Sequence, residues 1–175
     1  MAPSQCDKAR SFRALHKRPG AFVMPNPWDV GTARILTALG FEALATTSAG
    51  LAFALGRRDG EGALSRDDAL ANAAAIVRAT PLPVSADLEN GFGEAPETTA
   101  ETIRLAAAAG LVGASIEDAT NDPSRPIYDA SLAAERIAAA AEAARALPFP
   151  FTLTARAENF LYGRSDLDDT IRRLQ

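Results

Sequence analysis

The chain has 175 residues, with 18 Lys and Arg against 22 Asp and Glu for a net charge of −4, one Cys, and 47% hydrophobic residues. That apolar content excludes a disordered chain and supplies one sizeable core, but not two comfortable domains, so residues 1–175 read as a single unit. The acidic balance lacks the clustered Lys/Arg face of a nucleic-acid binder, no run reaches the roughly 18 to 20 apolar residues of a membrane helix, and a single Cys excludes an internal disulfide.

From Met1 to Lys17 the sequence is polar and mixed in charge, without the apolar centre of a secretory leader, so a cytoplasmic protein is expected. Cys6 falls in this stretch, which reads as a helix remote from any strand end, and His16 reads as a helix-end residue favoured by the dipole. Residues 21–25 open a series of about five short apolar segments bounded by Gly or Pro, each predicting a strand. The others cover residues 43–48, 82–88, 111–118 and 151–157. Between them lie Ala-rich stretches of helical spacing, such as Leu70, Ala73, Ala74 and Val77, then Leu167, Ile171 and Leu174. Ser65 with Asp68, and Ser165 with Asp168, predict helix starts, because the hydroxyl accepts from an early N–H and the carboxylate favours the positive end of the dipole. Gly40 and Gly110 predict helix stops. Residues 170–175 read as the middle of a helix with no stop signal.

Strands alternating with helices predict a parallel α/β sheet, which periodicity alone leaves as either a doubly wound fold or a (β/α)8 barrel. In either fold the ligand site lies at the carboxyl ends of the strands. Here those ends are polar: Thr46-Thr47-Ser48-Ala49-Gly50-Leu51, then Asp87-Leu88-Glu89-Asn90, then Glu117-Asp118, then Arg156-Ala157-Glu158-Asn159. Carboxylates after apolar runs are desolvated unless paired or holding a cation. Asp87, Glu89 and Glu117 offer only oxygen, with no His or Cys nearby, which points to Mg2+, with Mn2+ as the substitute, rather than zinc. The competing reading pairs the same carboxylates with Arg156. Gly91-Phe92-Gly93 is a poor dinucleotide fingerprint, since no third Gly follows at the needed spacing.

These segments carry a resemblance. The run Ser85-Ala86-Asp87-Leu88-Glu89-Asn90-Gly91-Phe92-Gly93, with Ser48-Ala49-Gly50-Leu51-Ala52 before it, and Ser115-Ile116-Glu117-Asp118 and Thr154-Ala155-Arg156-Ala157-Glu158 after it, resembles the isocitrate lyase and phosphoenolpyruvate mutase superfamily. So does the opening run from Pro19 to Asp29. The resemblance implies a TIM (β/α)8-type barrel, of which about five βα units fall in this chain. It also implies a domain longer than these residues; the full-length protein is expected to be a homo-oligomer. It further implies Mg2+, a small 2-oxo or 2-hydroxy carboxylate substrate, and cleavage of a C–C bond through an enolate. Carried over by position, Asp87 matches the principal metal carboxylate, with Glu89 and Glu117 as further metal partners. Ser48, Gly50 and Leu51 match the segment that holds the substrate carboxylate, Arg156 the guanidinium that binds a substrate oxyanion, and Asp59 a loop carboxylate that closes over the site.

Two departures qualify the resemblance. Lyase members carry a Cys on the loop after the fourth strand, whereas residues 119–130 here contain none, and Glu89 stands where the family more often has Asp. The missing thiol keeps two alternatives open: P–C chemistry of the phosphonomutase or phosphonopyruvate hydrolase type, and a non-catalytic carboxylate-binding barrel. Tyr128 offers a phenol on that loop, Trp28 an aromatic near the first strand exit, and Asp118 and Glu158 are expected to face away, because adjacent strand residues alternate sides.

Overall fold

A computed structural model describes residues 3–175. In chain order the elements are α1 (Gln5–Lys17), α2 (Val30–Ala38), β1 (Leu44–Ala45), α3 (Ser48–Ala54), α4 (Arg66–Ala79), β2 (Val84–Asp87), α5 (Pro96–Ala108), β3 (Gly113–Glu117), α6 (Ala130–Arg145), β4 (Thr152–Arg156) and α7 (Leu167–Leu174). The strands form one parallel sheet in the order β1-β2-β3-β4. Each unit adds its strand beside the one before, without the reversal that defines a doubly wound sheet, so the topology is that of a barrel wall. No helix among the described residues is long and apolar enough to cross a membrane.

The helix signals read from sequence hold at most ends. Ser65 and Asp68 form a reciprocal capping box at the start of α4. Gly40 and Gly110 follow α2 and α5 with φ of 87° and 94°, the left-handed conformation that glycine takes without steric cost. At α7 the cap is Asp166 rather than Ser165: its carboxylate accepts from the Asp169 N–H at 3.0 Å, and its charge complements the helix dipole.

Two strand predictions require correction. Residues 21–25 lie alongside β1 without joining the ladder. Pro25 accepts one bond from the Ala45 N–H at 3.1 Å, but Pro25 and Pro27 have no N–H to return. The segment expected at 43–48 is a strand only at Leu44–Ala45, because Thr47 takes the Gly50 N–H on its hydroxyl at 3.1 Å and starts α3.

The sheet has two faces of opposite chemistry. Leu44, Val84, Ala86, Ala114 and Ile116 point outward into a core completed by Ala73 and Ile76 of α4, Ile103 and Ala106 of α5, and Ala140, Ala143 and Ala144 of α6. The small residues let α5 and α6 pack closely against the strands. The alternate positions, Ser85, Asp87, Gly113, Ser115 and Glu117, point the other way, and Asp87 aligns with Ser115 and Glu117 with Arg156 across the ladder. At the amino end of this inner face α1 closes the floor with Phe12, which packs with Ala9, Ala43 and Val112. Gly113 permits that closure, since a Cβ there would stand 2.8 Å from the Phe12 ring. His16 fits its predicted helix-end role, with Nδ1 2.9 Å from the Phe12 carbonyl and its ring edge-on to Phe12 and Phe22.

Candidate active site

At the carboxyl ends of β2, β3 and β4, Arg156 is the hub of the site. Its Nη1 lies 3.2 Å from Asp87, its Nη2 3.2 Å from Glu117, and its Nε 2.7 Å from Glu158. The register dictates the first two pairs: Glu117 and Arg156 are Cα partners, and Asp87 is two strands away on the same face. Glu158 is a correction. It was expected to face away, yet the chain turns after β4 and brings its carboxylate back to the guanidinium. Asp118 does face away: it is buried, accepts from the Glu158 N–H at 2.8 Å, and pairs with Arg173 at 3.2 Å, tying α7 to the end of β3.

Asp87 is held from the other side by α3. The Ser48 N–H and hydroxyl both donate to its Oδ2, at 3.0 and 2.7 Å. Its own N–H donates to the Thr46 hydroxyl at 3.1 Å. Ser48 therefore reaches the site through Asp87. The N–H groups of Gly50 and Leu51 serve the cap of α3 instead, donating to the Thr47 hydroxyl and carbonyl at 3.1 Å each. Beside these groups the inner face lines an open pocket of about 210 Å3, with Met24, Asn26, Thr46, Ser85, Ser115 and Thr154 in its wall.

Glu89 sits in the turn after β2 at φ 47°, a left-handed conformation that costs a non-glycine residue about 1–2 kcal/mol. Burial, then repulsion from Asp87 and Asp59, push its carboxyl up to about 7. Glu117 is likewise raised to about 7, by burial first, with Arg156 opposing and Asp87, Glu158 and Glu89 adding to the rise. Asp59 is on an exposed loop, close enough to act on Glu89 through charge. Trp28 is 46% exposed, with its Cβ against Gly50.

Three carboxylates thus surround one guanidinium with Glu89 nearby, and burial together with the surplus negative charge raises Glu89 and Glu117. An all-oxygen, over-negative set suits a hard divalent cation held by one or two carboxylates and water. Among the described residues no three His, Cys, Asp or Glu side chains form a preformed chelate. Instead, Arg156 stands between Asp87 and Glu117, as the ion-pair reading of the sequence had it.

The loop after β3 is self-contained. Ala119 bridges Ile127, the Thr120 hydroxyl donates to the Arg125 carbonyl, Asp122 caps Ser124 at 2.8 Å, and Arg125 pairs with Glu94 at 2.7 Å. Tyr128 is no proton donor at the site: it is 3% exposed, with its ring 4.1 Å from the Arg136 guanidinium. The phenol close enough to feel the charge of the site carboxylates is that of Tyr162, in the turn after β4. Burial raises its pKa, and Glu117, Glu158, Asp59 and Glu89 raise it further. Its one sequence signal was a position four residues beyond Glu158.

Residues 12–175 match the family described as phosphoenolpyruvate phosphomutase. An uncharacterized protein of Mycobacterium tuberculosis is 37% identical over 131 residues, 74% of this chain and 47% of that protein. The 2,3-dimethylmalate lyase of Eubacterium barkeri is 35% identical over 111 residues, 63% of this chain and 38% of the enzyme. A crystal structure of a Burkholderia cenocepacia J2315 protein superposes with a TM-score of 0.94 at 66% identity, covering 97% of this chain and 60% of that one. The chain spans about half the length of the curated relatives it matches.

Proposed function

This chain belongs to the phosphoenolpyruvate phosphomutase family, and on that premise we propose that it carries the anion- and metal-binding wall of a lyase acting on a small 2-oxo or 2-hydroxy carboxylate. The observation that supports this most is the junction of Arg156 with Asp87, Glu117 and Glu158 beside an open pocket of about 210 Å3 on the inner face. Asp87 would be the principal carboxylate holding Mg2+, with Glu89 and Glu117 as its further partners. When bound, Mg2+ supplies Lewis-acid polarisation of a carbonyl and offsets the surplus negative charge.

The remaining steps belong to the protein's own groups. The planar guanidinium of Arg156 has the donor geometry to hold a carboxylate or a developing enolate oxygen, which is where charge collects when the bond beside a carbonyl breaks. Ser48 and Thr46 fix Asp87, so the acidic side of the site is oriented before substrate arrives. Glu117, 3.2 Å from Arg156, holds the guanidinium beside Asp87. The self-bonded loop after β3 favours a second reading, cleavage of a P–C bond, which requires no proton donor from that loop.

The test is turnover by the full-length protein of oxaloacetate, 2-methylisocitrate, isocitrate and phosphonopyruvate, with and without Mg2+. Mg2+-dependent cleavage of one of the first three is expected. Turnover of phosphonopyruvate alone selects the P–C reading, and binding without consumption of any acid selects a non-catalytic barrel.

A further inference from the structure

Arg136 of α6 is 1% exposed, yet its charge is met by backbone and ring rather than by a paired carboxylate. Its Nη2 donates to the carbonyl of Asn90, to that of Gly93 at 2.9 Å and to the Thr99 hydroxyl at 3.3 Å, and its plane lies 4.1 Å from the Tyr128 ring. Its Nε has no partner. Burying a guanidinium this way is costly, and on a helix whose other buried residues are alanines an apolar side chain would pack without that cost.

What the guanidinium holds is the turn after β2. Three of its four residues have positive φ: Glu89 at 47°, Gly91 at 80° and Phe92 at 63°. The carbonyls on either side of the turn have local partners. Leu88 accepts from the Gly91 N–H at 2.8 Å, Glu89 from the Glu117 N–H at 2.9 Å, and Gly91 from the Thr102 hydroxyl at 2.8 Å. Asn90 and Gly93 are the two that Arg136 takes. The peptide planes before and after Asn90 are therefore pinned, one by β3 and one by α6, which fixes the backbone from which the Glu89 side chain departs.

We propose that Arg136 is a positioning residue: by bridging the Asn90 and Gly93 carbonyls it holds the left-handed turn that aims Glu89 at the divalent-cation site. The inference rests on the function proposed above. It makes Arg136 part of the support of the site, although the helix that carries it lies on the far side of the sheet.

Mn2+ binding to the full-length protein, followed by the loss of the free-ion electron paramagnetic resonance signal, tests it. Arg136→Met weakens Mn2+ by about 10- to 100-fold, the usual effect of removing a group that orients a metal ligand. Arg136→Lys, which keeps the charge and the donors on a shorter side chain, loses less. In a Glu89→Gln background either substitution changes the affinity by less than about twofold, because the group through which Arg136 acts is already gone. If Arg136→Met does not fold, Arg136→Lys alone carries the comparison. A purely structural role lowers Tm and leaves the Mn2+ affinity unchanged, or weakens it equally with and without Glu89, and either result overturns the proposal. No Mn2+ binding by the parent overturns the proposed function, and this inference with it; binding by the parent that is indifferent to position 136 overturns this inference alone.

Discussion

The outer and inner faces of the same four strands are built to different ends. Outward, Val84, Ala86, Ala114 and Ile116 are almost wholly buried under α4, α5 and α6, with nothing polar among them. Inward, one residue away along each strand, stand Ser85, Asp87, Ser115, Glu117, Thr154 and Arg156. A period of two therefore separates stability from chemistry. The outer face gains from burial of its apolar side chains. The inner face carries charges that repel one another and that only a fixed scaffold keeps together. The two faces are not independent, however, because Arg136 reaches from the helical layer to the turn that ends β2.

Three experiments break or sharpen this division. The largest effect is expected at Asp87→Asn, which removes the carboxylate shared by Ser48 and Arg156. Activity of the full-length protein falls by about 100- to 1,000-fold while Tm stays within a few degrees of the parent. A collapse of Tm would mean that the inner face also holds the fold. Next is Ile103→Ala on α5, where the side chain is 0% exposed. The cavity costs about 2–5 kcal/mol in denaturant unfolding, with KM unchanged, and a shifted KM would couple the faces more tightly than the packing indicates.

The smallest effect concerns pH. Glu89 and Glu117 titrate at about 7 when folded against an ordinary 4.5. A raised carboxylate pKa means that the folded chain keeps protons the unfolded chain has released. Their contribution is thus favourable below about pH 4.5 and lost as pH rises through 7. The metal-free protein loses about 1–3 kcal/mol across that window after allowance for solvent screening, Mg2+ restores much of it, and Glu117→Gln removes part of the slope. A Tm profile that is flat from pH 4.5 to 7.5 without metal would show that the inner charges are already balanced.

Much of the fold was legible because its signals are local. The capping box of Ser65 and Asp68, the stops at Gly40 and Gly110, and the stripe of Leu70, Ala73 and Val77 each depend on residues within a turn or two of one another. The failures share one cause. Residues 21–25 have strand composition, but whether they ladder depends on the donors facing β1, and prolines supply none. The stripe of Leu167, Ile171 and Leu174 does form α7, yet these side chains stay 62%, 45% and 55% exposed, since a helical period says nothing of what covers it.

The site divides in the same way. By itself the sequence placed Asp87, Glu117 and Arg156 at strand ends, because chain order and a period of two suffice for that. Only the tertiary structure decided which charges meet. Arg156 and Asp87 are 69 residues apart in sequence and 3.2 Å apart in space. Glu158 turns inward while Asp118 turns to Arg173, and Tyr128 is sealed against Arg136 while Tyr162 comes within reach of the carboxylates' charge. Local propensity acts along the backbone, whereas an ion pair or a shifted pKa depends on what the fold brings across from other strands and helices.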